Sequence, residues 1–131
     1  MKINIASNEV IHFIGIGGIG MSGLAQIMTN MDFQIQGSDL NSNKNTDRLV
    51  KAGIEIYIGH NSKNINKATM VVVSSAIKKN NAELIASKVK KLPIFTRGEM
   101  LANIVALKKK YSYRRHTRKN YHYFFNSKYF I

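Results

Sequence analysis

The stretch "VIHFIGIGGIGMSGLAQIM", Val10–Met28, constrains the fold more than any other part of the chain. A nearly unbroken apolar run ends in glycines, and apolar residues then recur at Met21, Leu24, Ala25 and Met28. The first pattern is that of a strand buried in a parallel sheet; the second is that of an amphipathic helix. Between them Gly15, Gly17 and Gly20 spell G-x-G-x-x-G at a strand-to-helix turn. The glycines argue against a membrane span, since five of them precede Leu24, in company with His12, Ser22 and, further on, Gln26.

The same alternation repeats downstream. "FQIQGSD" (Phe33–Asp39) predicts a second strand, and "TDRLVKAG" (Thr46–Gly53) a short helix with a Thr or Asp start and a Gly stop. "IEIYIG" (Ile54–Gly59) and "ATMVVVSSA" (Ala68–Ala76) predict a third and a fourth strand. "NAELIASKVKK" reads as a helix capped by Asn81, and "LPIFT" as a short fifth strand. "RGEMLANIVALKKK" (Arg97–Lys110) closes the domain, with Met100, Leu101, Ile104 and Leu107 on one face. Strands separated by crossovers predict an α/β, Rossmann-like domain: a five-stranded parallel sheet with helices on both faces.

Composition divides the chain in two. The net charge of +13 resembles that of a nucleic-acid binder. Residues 1–107, however, carry only +5, while residues 108–131 carry +8 with no acid and hold 8 of the 12 aromatics. Residues 1–107 are therefore read as the domain and 108–131 as an irregular basic aromatic tail, expected to be disordered because like charges disfavour compaction. Interleaved Lys, Arg and Tyr can bind single-stranded nucleic acid or touch an anionic membrane surface. The absence of cysteine excludes a disulfide framework and a thiolate site, and fits a cytoplasmic protein.

The candidate site residues cluster at strand ends. Gly15 permits the tight turn, Gly17 lets a phosphate approach the backbone, and Gly20 lets helix pack on strand. The helix N-terminus offers N–H groups and partial positive charge to an anion. Asp39 follows Gly15 by 24 residues, near the ~20-residue spacing of a ribose-binding carboxylate, and equally fits an Asx turn with Leu40 and Asn41. Ser74 and Ser75 end the fourth strand, as crevice-lining hydroxyls or as a turn. His60 stands in a loop, and Arg97 has either an anion or Glu99 as partner. An NAD(P)-binding Rossmann protein and a nucleic-acid-binding module acting through the tail stay open on these grounds.

Four segments together, "IHFIGIGGIGMSGLAQI", "IQGSD", "VVVSSAIKKNNAEL" and "RGEMLANIV", resemble the first domain of the Mur ligases from about Val10 to Leu107. The double glycine Gly17–Gly18 followed by Met21, Ser22 and Gly23 separates this pattern from an ordinary NAD fingerprint. The resemblance is to the branch that joins L-alanine to the lactyl carboxylate of UDP-N-acetylmuramate in peptidoglycan synthesis, with ATP and Mg²⁺. It implies a cytoplasmic domain that holds the UDP moiety and no role for nucleic acid or membrane. Carried over, the pyrophosphate lies on Gly15, Gly17, Gly18, Ile19 and Gly20, with Ser22 close by. Asp39, Ser74 and Ser75 line the nucleotide side. His60 and Arg97 match recurrent positions, without an assigned contact.

In that family a phosphate loop, G-T-H-G-K-T-T, follows the closing helix and opens the ATP-binding domain. Here no glycine follows Gly98 and no G-K-[ST] occurs. Without that loop the ATP γ-phosphate has no cradle, so the chain alone is expected to bind UDP at most and to catalyse nothing. Read one nucleotide out of phase, a choice of codons for Arg115–Asn126 yields G-T-H-G-K-T-T-T-T-S-L. One extra base in the A-rich codons of Lys108–Lys110 produces that shift, so the tail is expected to be out-of-frame ligase sequence.

Overall fold

The computed structural model describes residue 5 and residues 8–117, with the backbone alone for residues 111–117. The elements are β1 (Val10–Ile14), α1 (Ile19–Asn30), β2 (Gln34–Asp39), α2 (Lys44–Lys51), β3 (Glu55–Ile58), a 3-10 turn (Ser62–Ile65), β4 (Met70–Val73), α3 (Ala82–Val89), β5 (Ile94–Thr96) and α4 (Arg97–Thr117). All strand pairs are parallel, in the order β3-β2-β1-β4-β5. The chain builds outward from β1 to β3 and then crosses back to β4. The reversal lies between β1 and β4, where an open parallel sheet offers a crevice beyond its carboxyl ends.

The strand period assigns the two faces. Ile11 and Phe13 of β1 pack with Met70 and Val72 of β4 beneath α1 and α4, joined by Met21, Leu24, Met28, Met100 and Ile104. On the opposite face Ile14 and Val71 meet Leu84 of α3. This α/β sandwich is the expected fold class.

Several boundaries differ from the sequence reading, each for a local reason. Helix α2 starts at Lys44, before Thr46, because Asn43 forms its capping box. The Asn43 side chain accepts from Thr46 N at 2.9 Å and Asn43 N donates to the Thr46 hydroxyl at 2.8 Å. The 3-10 turn was not expected; it is capped by Asn61 and buries Ile65. Asn81 caps α3 as expected, accepting from Glu83 N and Leu84 N. Helix α4 runs to Thr117, past the expected end at Lys110. No Gly or Pro follows Gly98 to stop it, and Leu and Lys favour helix. Residues 108–117 of the supposedly irregular tail are therefore helical. The expectation of disorder for residues 118–131 lies outside the described residues. Among the described residues no helix is long and apolar enough to cross a membrane.

Candidate functional site

The site is built on the turn between β1 and α1. Gly15 has φ +87°, a left-handed conformation that favours glycine. Gly15 N and Ile16 N both donate to the Ser38 carbonyl at 2.9 Å, which bolts the turn to the end of β2. Beneath it β2 must be bare: a Cβ at Gly37 would stand 2.5 Å from Ile16 Cδ1 and 2.8 Å from the Phe13 carbonyl.

Gly17 is held on both sides. Its N–H donates to Asp39 Oδ2 at 2.8 Å. Its carbonyl accepts from Asn43 Nδ2 at 3.1 Å and Asn45 Nδ2 at 2.8 Å. A Cβ here would be 2.8 Å from Asp39 Oδ2 and 3.0 Å from both Asn43 Nδ2 and Thr46 Cγ2. The sequence reading gave Gly17 to the approach of a phosphate; the fold adds a second reason for glycine, since Asp39 and the start of α2 occupy the space a side chain would need.

Beyond the turn a cleft of about 410 Å³ opens at the crevice between β1 and β4, lined by Gly18, Gly20, Ser74, Ser75, Thr96 and Arg97 among others. The first bond back into the turn is Ser22 N to Gly18 O. Among the described residues the N–H groups of Ile19, Gly20 and Met21 have no acceptor. Arg97 lies across this helix start: a Cβ on Gly20 would meet its Cδ and Nε at 2.9 Å. Glu99, the alternative partner, is instead engaged in the capping box of α4, accepting from Thr96 N at 2.8 Å. Arg97 has no ion-pair partner among the described residues. A guanidinium, unpaired helix N–H groups and two hydroxyls around one opening suit a phosphate-bearing ligand.

The structure thus gathers Gly18, Ile19, Gly20, Ser74, Ser75 and Arg97 at one cleft. Ser74 also serves its own turn, accepting from Ala76 N at 3.2 Å. Ser22 is buried and donates to the Ile19 carbonyl at 3.1 Å, bracing the helix start. Asp39 sits on the other flank of the turn, where Oδ1 accepts from Leu40 N at 2.7 Å and Oδ2 holds Gly17. His60 is away from the cleft, bonded to Ser38 Oγ at 3.1 Å and near Glu83 Oε2 at 3.3 Å.

The sequence reading missed the centre of that second cluster, the fully buried Glu83 of α3. Its carboxylate is within hydrogen-bond reach of five groups. His12 Nε2 lies at 2.6 Å, Ser38 Oγ at 2.5 Å, Asn64 Nδ2 at 2.8 Å, Asn61 N at 3.1 Å and His60 Nδ1 at 3.3 Å. Gln36 Nε2 donates to His12 Nδ1 at 2.9 Å, which leaves the His12 Nε2–H to face Glu83. Burial pushes the Glu83 carboxyl up, but hydrogen bonds from His12, Ser38 and Asn64 outweigh it and hold it at about 2. The cluster ties β1, β2, the 3-10 turn and α3 together. It reaches the site through Ser38, whose carbonyl holds Gly15 and Ile16. A period-two signal was present: His12 pairs in register with Gln36, and Ser38 follows two residues on.

Among the described residues no three His, Cys, Asp or Glu side chains come together to hold a metal ion. The sequence contains no G-K-[ST] loop.

Residues 10–109 match the model of the Mur ligase family, catalytic domain. The chain is 65% identical over 109 residues to UDP-N-acetylmuramate–L-alanine ligase of Pelagibacter ubique, covering 83% of this chain and 24% of that protein. It is 51% identical over 105 residues to the ligase of the same name from Brucella anthropi, covering 80% and 22%. Its fold is similar to the crystal structure of UDP-N-acetylmuramate–alanine ligase from Thermotoga maritima, with a TM-score of 0.73 and 30% identity over 76% of this chain and 23% of that one. The chain spans about a quarter of the length of these relatives.

Proposed function

From the premise that the chain belongs to the Mur ligase family, we propose that it is the nucleotide-holding part of a ligase that adds L-alanine to UDP-N-acetylmuramate. In this reading it binds the UDP moiety in the cleft between α1 and α4. The observation that supports the reading is the start of α1: among the described residues the N–H groups of Ile19, Gly20 and Met21 have no acceptor, and the Arg97 side chain, without an ion-pair partner there, lies against Gly20. The pyrophosphate lies there, where helix dipole and guanidinium act together. The Ser74 and Ser75 hydroxyls face the sugar side of the diphosphate. Asp39 secures the turn from the nucleoside side, and its spare lone pairs are open to a hydroxyl or ring N–H.

No ligation step is assigned to these residues. ATP, Mg²⁺ and L-alanine belong, in this reading, to parts of a ligase that these 131 residues do not include. The test is calorimetric titration of the full chain with UDP, UDP-N-acetylmuramate and NADH. UDP and UDP-N-acetylmuramate should bind more tightly than NADH. Binding of NADH without UDP would sink the assignment.

A further inference from the structure

The anion site depends on the orientation of one peptide that the ligand need not touch. Both polar backbone groups of Gly17 are engaged within the fold: Asp39 takes its N–H and the amides of Asn43 and Asn45 take its carbonyl. A peptide unit is planar, so pinning the Gly17 carbonyl fixes the plane of the Gly17–Gly18 peptide. That plane leads directly into α1, whose first residues Ile19, Gly20 and Met21 carry the acceptor-free N–H groups at the cleft. Without the clamp, the Gly17 carbonyl itself has no partner, and this corner of the turn is left with the long Gly18 N to Gly15 O contact of 3.4 Å, the Asp39 bond and the Ser22 N to Gly18 O bond of 2.8 Å on the next peptide.

We infer that Asn45, together with Asn43, is a positioning residue that holds the Gly17 carbonyl and thereby aims the first N–H groups of α1 at a nucleotide's diphosphate. The two amides are not equivalent. Asn43 also caps α2, so its loss disturbs a helix as well as the turn. Asn45 lies inside α2, gives its Nδ2 to Gly17, and has its Oδ1 held by Arg48 Nη2 at 2.5 Å. Arg48 fixes which way the Asn45 amide points. Asn45 is therefore the cleaner probe, and Asn43→Ser the companion, since serine keeps the cap and removes the amide donor.

The inference rests on the UDP reading of the cleft, and two ligands separate the two. UDP and uridine are titrated against the full wild-type chain, Asn45→Ala and Asn43→Ser, with a thermal melt of each. A wild-type chain that fails to bind UDP overturns the reading and the inference with it. If wild type binds UDP, each variant should lose about three- to ten-fold in UDP affinity, the worth of one neutral hydrogen bond, and keep its uridine affinity. Undiminished UDP binding by both variants overturns the clamp and leaves the UDP reading intact. An equal loss of UDP and uridine also overturns it, because a merely structural role would not single out the diphosphate. If Asn45→Ala fails to fold, Asn43→Ser decides by the same criterion.

Discussion

Gly17 and Gly20 belong to one motif, yet different neighbours fill the space each leaves open. A Cβ at 17 would press on the Asp39 carboxylate and on the start of α2, both tied into the fold. A Cβ at 20 would press on the Arg97 side chain, which is exposed and can swing away. Gly17→Ala should therefore cost about 1–3 kcal/mol of stability with no ligand present, as overpacking does. Gly20→Ala should leave stability within about 1 kcal/mol, since alanine favours helix, and should weaken UDP binding by displacing Arg97. Urea unfolding and UDP titration of both variants check this pair. Glu83 gives a second test. Glu83→Gln turns an amide N–H₂ toward groups that donate, and should cost about 2–4 kcal/mol, read as a lower urea midpoint. Because the folded-state carboxyl is held at about 2, below its ordinary 4.5, the unfolded chain binds the proton more readily between those values. Its contribution is complete above pH 4.5 and is lost as pH falls toward 2. The wild type should thus lose more stability than Glu83→Gln across that window.

At the level of elements, α4 is the informative one. Its buried anchors, Met100 and Ile104, lie in its first two turns. Truncation after Lys110 should change stability by less than about 1 kcal/mol, whereas Met100→Ala should cost about 2–5 kcal/mol. Thermal melts of the two variants decide it, and a truncation as damaging as Met100→Ala would show that the later turns pack on the domain. The continuation of α4 to Thr117 was hidden from a reading by composition, which marks a change at Lys108. Helix propensity does not follow composition: Lys-rich sequence without Gly or Pro continues a helix already begun. The start of α2 was misplaced for a related reason. Thr and Asp attract attention as caps, but the cap that forms is Asn43, whose partner Thr46 lies three residues on.

For the whole molecule, the expectation is binding without turnover. The purified chain, free of host ligase, should show neither ATPase activity nor L-alanine-dependent phosphate release with UDP-N-acetylmuramate present. A phosphate-release assay checks this, and any L-alanine-dependent signal would contradict the missing phosphate loop. The order and kind of the strands and α-helices and the glycine turn were determined by the sequence itself, because they rest on local period, caps and glycine placement. The likeness of "GIGGIGMSG" and "RGEML" to the Mur ligases was legible in the same way. Only the tertiary structure decided why Gly17 is glycine, since Asp39, Asn43 and Thr46 reach it from 22 or more positions away. It alone paired His12 with Glu83, 71 residues apart, and placed Arg97 over Gly20. Such contacts depend on strand order and helix placement, which bring distant residues within bonding distance; the period of a strand can mark which face His12 or Gln36 takes but not the partner it meets there.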